Sequence, residues 1–463
     1  MRPLIIILLS FFCCISVSAQ TSISGDWEGA INIQGQQLKV IFDIEGEPQN
    51  YSGTLDIPQQ GAMELNLTRV EQKSDSVFFT FFTGQGNGEF KGVLETDSLI
   101  TGMYHQGMSS FPFEIKKQKS VVEPEEVLGE GRELIISTET VNIGGTLVTP
   151  ENSEYSPLVI MISGSGAQDR NSNIFGFKVF AEIAEYLEQQ GISSFRYDDR
   201  QIGESTGTFS EATLDMLAGD VNRIIEYLNN LEDEYFSEII LLGHSQGGVV
   251  AGKVADENPE VDQLILMAST GVSLKEILSF QVEQAYGEEI HSEEDVEKEI
   301  SLREELMMAI RDDGDIEAAK QNYVDHYYSM IEALPASQKA GIADIDAFVN
   351  RQADQLAAVY GSPQTKSLLF YDPKDDLREL DIPVLVLFGG KDTQVTIEQN
   401  SAPIEKALTE ADTEFEVEAF PEANHLFQKA ESGQVAEYSM LEKEFVDGFL
   451  DSIAGWVSKN VDN

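Results

Sequence analysis

A serine suited to nucleophilic attack lies at Ser245, at the centre of Gly243-His244-Ser245-Gln246-Gly247. The apolar run Ile239–Leu242 leads into it and Val249-Val250-Ala251 opens a helix behind it, so the pattern reads strand, sharp turn, helix. Such a turn lifts the hydroxyl clear of the chain, and the glycines two residues to either side let neighbouring backbone close in. The helix N-terminus favours negative charge developing on a substrate oxygen. A serine hydroxyl still needs a base. Of the five histidines, His105 belongs to a β-rich N-terminal region, and His244 adjoins the serine, so its ring points away and packs. His291 and His326 fall in an acidic helical stretch and read as surface residues. His425 remains, in Pro421-Glu422-Ala423-Asn424-His425-Leu426-Phe427, after the strand-like Glu414–Ala419. The orienting acid is expected between serine and histidine in chain order, and Asp392 fits, just beyond the apolar run Val384–Phe388 and Gly389-Gly390-Lys391.

Acyl transfer through such a triad also needs donors for the tetrahedral oxyanion. One is the backbone N–H of Gln246. The second is expected from Ser163-Gly164-Ser165-Gly166-Ala167-Gln168-Asp169-Arg170, the loop after the strand-like Leu158–Ile162; it is assigned to Ser165, with Gly164 or Gly166 as neighbours in register. Asp169 and Arg170 read as braces of this loop. The chain carries no His-Glu-x-x-His, no calcium loop and no phosphate-binding glycine loop, so neither metal nor cofactor is expected.

The elements that must position these residues follow from the pattern. Beyond about residue 131, strand-like runs alternate with helical ones, which calls for a mostly parallel sheet covered by helices on both faces. Strands are expected at Leu158–Ile162, Ser193–Tyr197, Ile239–Leu242, Leu264–Met267 and Val384–Phe388, and helices at Phe177–Gln190 and Thr213–Asn230. From about 272 to 371 the alternation stops in an acidic, helix-compatible segment; this reads as a cap over the site, with a peripheral decoration as the alternative. Residues 20–118 read as all-β, a small barrel or sandwich. In Leu38–Glu45 apolar residues alternate, and Gly84, Gly86, Gly88, Gly92, Gly102 and Gly107 punctuate the runs as turns and bulges. Trp27 reads as a core plug. A linker is expected at 119–130.

The first residues, Met1-Arg2-Pro3, an apolar run to about Val17 and Ser18-Ala19-Gln20, match a leader cut after Ala19, with an uncleaved anchor as the rival reading. Residues 1–19 hold both cysteines, Cys13 and Cys14, so the mature chain would have none, and cysteine catalysis and thiolate metal sites drop out. Export to the periplasm or medium follows from the leader, with no stable membrane insertion after cleavage. With 81 acidic and 30 basic residues the net charge is −51, which repels nucleic acid phosphates and anionic headgroups. Acidity here describes a solvated coat.

On these motifs, residues from about 131 to 460 resemble the α/β-hydrolase superfamily, in particular bacterial esterases and serine aminopeptidase-like members with a helical cap. The Ser163–Arg170 loop is similar to that of two-domain carboxylesterases with an N-terminal β domain. Ser163 stands where many relatives begin this loop with His-Gly. The turn Arg196–Ser205 resembles Asp-x-Arg-Gly-x-Gly-x-Ser, with Gln201 in place of glycine, and reads as structural. The resemblance implies an α/β-hydrolase fold and a carboxylesterase of short or medium acyl esters, its partner being the small-molecule ester. A peptidase using the same triad is the alternative, and a vestigial hydrolase with a ligand-binding β domain is the third reading.

Overall fold

The computed structural model describes residues 22–33, 36–47, 50–57, 62–82, 87–106, 109–117, 131–138, 140–150, 155–285, 292–333 and 345–460. The leader with Cys13 and Cys14, the linker 119–130 and His291 lie outside them. The chain divides into two units, Met1–Val121 and Val122–Asn463.

In the first unit eight antiparallel strands, from Gly25–Ile33 to Ser109–Lys117, form a closed barrel in chain order. The last strand closes on the first, with Trp27 opposite Lys117 and Ile31 opposite Phe113. The period-2 pattern works as expected: Val40, Phe42 and Ile44 all point into the core. Eight strands leave an interior just wide enough for side chains to fill, and aromatics fill it. The Phe90 ring lies 5.0 Å from Phe42, 4.6 Å from Tyr104 and 5.0 Å from Phe113. Trp27 is fully buried and donates its Nε1–H to the Ile23 carbonyl at 2.8 Å, the plug role its position suggested. Three glycines depart from expectation. Gly88, Gly92 and Gly102 lie inside the strands Asn87–Thr96 and Leu99–Gln106, not at turns. A methyl group at 102 would overlap the Lys91 carbonyl oxygen and the Gly92 Cα, so these residues permit close strand approach in a tightly coiled sheet.

The second unit is built on one eight-stranded sheet. Its strands are β1 (Arg132–Ser137), β2 (Asn142–Val148), β3 (Ser156–Ile162), β4 (Ser193–Tyr197), β5 (Phe236–His244), β6 (Gln263–Met267), β7 (Val384–Gly389) and β8 (Phe415–Phe420). The order across the sheet is β8-β7-β6-β5-β3-β4-β2-β1, parallel from β8 to β4 and antiparallel at β2 and β1. Both faces are covered, and the strands sort their residues accordingly. On β3, Leu158, Ile160 and Ile162 face the core built with α2 (Leu214–Asn229) and α3 (Gln246–Glu257). Val159 and Met161 face the other core, with α1 (Val179–Gln189) and a C-terminal helix, Phe449–Asn460. Thr213 caps α2 by accepting from the Met216 N–H at 3.3 Å.

Between β6 and β7 the chain leaves the sheet for the helices α4 (Leu274–Ala285), α5 (Glu293–Arg311), α6 (Ile316–Ala333), α7 (Ile345–Gly361) and α8 (Pro363–Leu368), followed by α9 (Pro373–Leu377). Leu306, Met307 and Ile310 form the buried stripe of α5. His326 on α6 is half-buried with its Nε2 enclosed, where the acidic sequence around it suggested a surface residue. Among the described residues no helix is long and apolar enough to cross a membrane.

Candidate active site

Ser245 has φ +54° and ψ −121°, a conformation that a side-chain-bearing residue holds only when its surroundings enforce it. The surroundings do so from three sides. The Ser245 N–H donates to the Met267 carbonyl at 2.9 Å, which extends the β5–β6 pairing through the turn. A methyl group at Gly247 would overlap the carbonyl oxygens of Ile162 and Ser163, and one at Gly248 would overlap the Ser269 side chain. The start of α3 therefore lies backbone to backbone on the end of β3, which places Gln246 beside the Ser163–Arg170 loop.

The structure brings Asp392 and His425 together. His425 Nδ1 lies 2.6 Å from Asp392 Oδ2, both side chains being buried. The other Asp392 oxygen accepts the N–H groups of Gln394 at 2.7 Å and Val395 at 2.9 Å, so the carboxylate is held on both sides. Methyl groups at Gly389 and Gly390 would overlap Asn424 and Pro421 backbone atoms, so these glycines let the two loops touch. Fully buried Asn424 shapes the histidine turn: its Oδ1 accepts from the Leu426 and Gln428 N–H groups, each at 2.9 Å. Sequence reading missed Asn424 and the glycine pair; Gly-Gly before an acid and Asn before a histidine were the available signals.

His244 is buried, with its ring centroid 4.8 Å from that of His425 and its Nε2 3.1 Å from the His425 carbonyl oxygen. Nε2 donates there, and burial, with the neighbouring His425 second, pushes the pKa down to about 3, so the ring is neutral. It packs as expected, with its ring against that of His425. Ser245 Oγ and His425 Nε2 are not hydrogen-bonded in this structure; catalytic hydrogen bonds commonly tighten only once substrate is bound.

Ser165, Ser245 and Gln246 line one cavity of about 140 Å³. Gly164 stands beside them, its absent Cβ 3.3 Å from Ser245 Cβ. Val249, Val272, Leu274, Ile277 and Leu368 form the apolar wall, and Thr270, Gln281, Tyr371 and Gln394 add neutral polar groups. Helices α4 and α8 of the cap thus contribute to the cavity wall. The cap also reaches the elbow: Gln364 on α8 donates to the Gln246 side-chain oxygen at 3.3 Å. Behind the loop, Arg170 holds Asp198 Oδ2 at 2.6 Å and pairs with Glu133, the bracing role expected of it. Ser163, in the place of the customary histidine, donates to Asp199 Oδ2 at 2.6 Å. The Arg196–Ser205 turn therefore supports the loop that lines the cavity with Ser245. Among the described residues no cluster of histidine, cysteine and carboxylate side chains could hold a metal ion.

Two family models match this unit: serine aminopeptidase (S33) over residues 177–323 and the dienelactone hydrolase family over residues 343–446. Esterase EstD of Thermotoga maritima is 22% identical over 440 residues, covering 94% of this chain and 92% of that protein. Among solved structures, an esterase of Pyrococcus furiosus aligns with TM-score 0.44 and 14% identity, over 73% of this chain and 94% of its own. The proline iminopeptidase of Mycobacterium smegmatis aligns with TM-score 0.41 and 16% identity, over 71% and 98%.

Proposed function

We propose that this chain, a member of the α/β-hydrolase superfamily and an enzyme of serine-type hydrolysis, is a carboxylesterase acting on uncharged esters with short acyl groups. In this reading Asp392 fixes the Nδ1–H tautomer of His425, which leaves Nε2 free to take the Ser245 proton. The alkoxide attacks the ester carbonyl, and the oxyanion rests on the N–H groups of Gln246 and Ser165, with Gly164 alongside. His425 then protonates the leaving alcohol and activates the water that releases the acid.

The observation that favours an ester over a peptide is the cavity at Ser245. A peptidase that grips a free amino terminus needs a carboxylate facing its substrate, and an acidic cap could have supplied one. The described lining is apolar or neutral throughout, and desolvating an ammonium there without a partner is costly. Its volume, about 140 Å³, suits a small acyl group. Export remains an inference from the leader sequence at residues 1–19.

The test compares p-nitrophenyl butyrate with aminoacyl p-nitroanilides on the whole mature chain. Preferred turnover of the ester, and a loss of roughly 10⁴-fold or more in kcat for Ser245→Ala, are expected. Faster anilide cleavage would transfer the assignment to a peptidase. Near-normal ester turnover in Ser245→Ala would remove the nucleophile.

A further inference from the structure

We propose that Asp199 is a positioning residue that clamps the oxyanion loop at both of its ends, so that ester turnover depends on its charge. The inference rests on the acyl-transfer reading of Ser245 and adds a residue outside the triad and the hole.

The geometry is that of a clip. The loop leaves β3 at Ser163 and carries Ser165 into the cavity. One Asp199 oxygen, Oδ2, accepts the Ser163 hydroxyl at 2.6 Å and the Gln168 N–H at 2.9 Å. The Asp199 N–H in turn donates to the Gln168 carbonyl at 3.0 Å. The Gln168 side chain donates to the Ser165 carbonyl at 3.2 Å, which fixes the peptide plane beside the donor. Ser165 itself is exposed and lies between two anchored points. Ser163, Gly164, Asp199 and Gln246 border one small void of about 10 Å³, so Asp199 lies close to the start of the loop and to Gln246.

Both bonds to Oδ2 are strongest when the group is a carboxylate. Asp199 is 5% exposed, and among the described residues no cation pairs with it: Arg170 turns to Asp198 and Arg200 to Asp220. Tyr197, Phe209, Leu217, Gln246 and Val250 face it from β4, α2, α3 and the intervening turn, and all are neutral. Burial, with Asp198 and Asp220 adding to it against the two hydrogen bonds, raises its pKa from 3.8 to about 7. Protonation in mildly acidic medium therefore weakens the clip, and turnover falls with acid more steeply than the His425 base alone dictates.

Asp199→Asn keeps the size and one acceptor oxygen and removes the charge. We expect kcat for p-nitrophenyl butyrate to fall about 10²-fold, the cost of a misplaced oxyanion donor, with KM changed by less than about twofold. The acid limb of the pH–kcat profile is expected to lose its extra steepness and report one ionisation. Ser163→Ala is expected to lower kcat less, with Ser163→Thr restoring it. A folded Asp199→Asn enzyme with wild-type kcat and an unchanged acid limb overturns the proposal. Should that variant not fold, wild-type kcat in Ser163→Ala overturns it instead. Fluorophosphonate labelling reads the nucleophile separately: label retained in Ser245→Ala sinks the triad whatever Asp199 does, and label lost there with no Asp199 effect sinks only the clip.

Discussion

The cavity at Ser245 makes a quantitative demand on acyl-chain length. Its volume of about 140 Å³ is close to that of a cavity that admits benzene (~150 Å³), so an acyl group of roughly four to six carbons fills it. Each methylene moved from water onto its apolar wall contributes about 0.8 kcal/mol, a factor of ~4 in binding. Butyrate should therefore exceed acetate in kcat/KM by roughly 4 × 4, or about 16-fold, wherever the acyl contact is kept in the transition state. Beyond about six carbons the cavity is full and the gain ends. Ile277 on α4 is buried and lines the cavity, so Ile277→Ala opens space worth three carbon atoms. The optimum should then move outward by about two to three methylenes, towards octanoate. A p-nitrophenyl ester series from acetate to decanoate, measured as kcat/KM on wild type, Ile277→Ala and Leu368→Ala, reads this directly. A flat series, or an optimum that stays put in both variants while their circular dichroism is native, would show that this cavity is not the acyl pocket.

Three further predictions concern stability. Asp220→Ala leaves Arg200 buried without the partner that holds it at 2.6 and 2.8 Å, and should cost about 3–5 kcal/mol in urea unfolding; a loss under 1 kcal/mol would show that the pair is not what anchors this turn. Phe90→Ala removes the ring that touches Phe42, Phe81, Tyr104 and Phe113 and should destabilise the barrel by about 3–5 kcal/mol. With Trp456→Phe as background, Trp27 emission reports that transition, and an unmoved midpoint would refute the packing argument. Asp376 has its pKa raised from 3.8 to about 6, by burial first and against the Tyr371 hydroxyl bond, so the folded chain keeps a proton that the unfolded chain releases. Its contribution is full below about pH 3.8 and lost as pH rises through about 6. Stability of Asp376→Asn relative to wild type should therefore climb between pH 4 and 7, and parallel curves would exclude the linkage.

Much of this fold was legible because its signals are local. Apolar strands buried on both faces read as unbroken runs, and the five expected at Leu158, Ser193, Ile239, Leu264 and Val384 all occur. Strands β1 and β2 were not anticipated: at the antiparallel edge, β1 buries only Leu134 and Ile136, and β2 contains Gly144-Gly145, so neither shows an apolar run. In the barrel, Gly92 and Gly102 looked like turn residues because a glycine's absent side chain says nothing of what fills its place, here a neighbouring strand. The site shows the same limit. Ser245, Asp392 and His425 could be picked out by residue type and order, and the structure joins the last two. Asp199 and Gln364 could not, because each acts through a partner far along the chain.

The filled barrel bears on where substrate is chosen. Trp27, Phe42, Phe79, Phe81 and Phe90 are all buried in its interior, in ring contacts or, for Trp27, hydrogen-bonded to the backbone. A ligand entering that space would have to displace side chains whose burial holds the barrel together, at about 3–5 kcal/mol for each large ring dislodged. The Ser245 cavity already offers apolar surface with neutral polar groups around it, and no packed side chain has to leave for an acyl group to enter. On the esterase reading, selection among esters falls to the two ends of the cap, where Ile277 and Leu368 line the same cavity as Ser245, and the acyl series above probes those side chains.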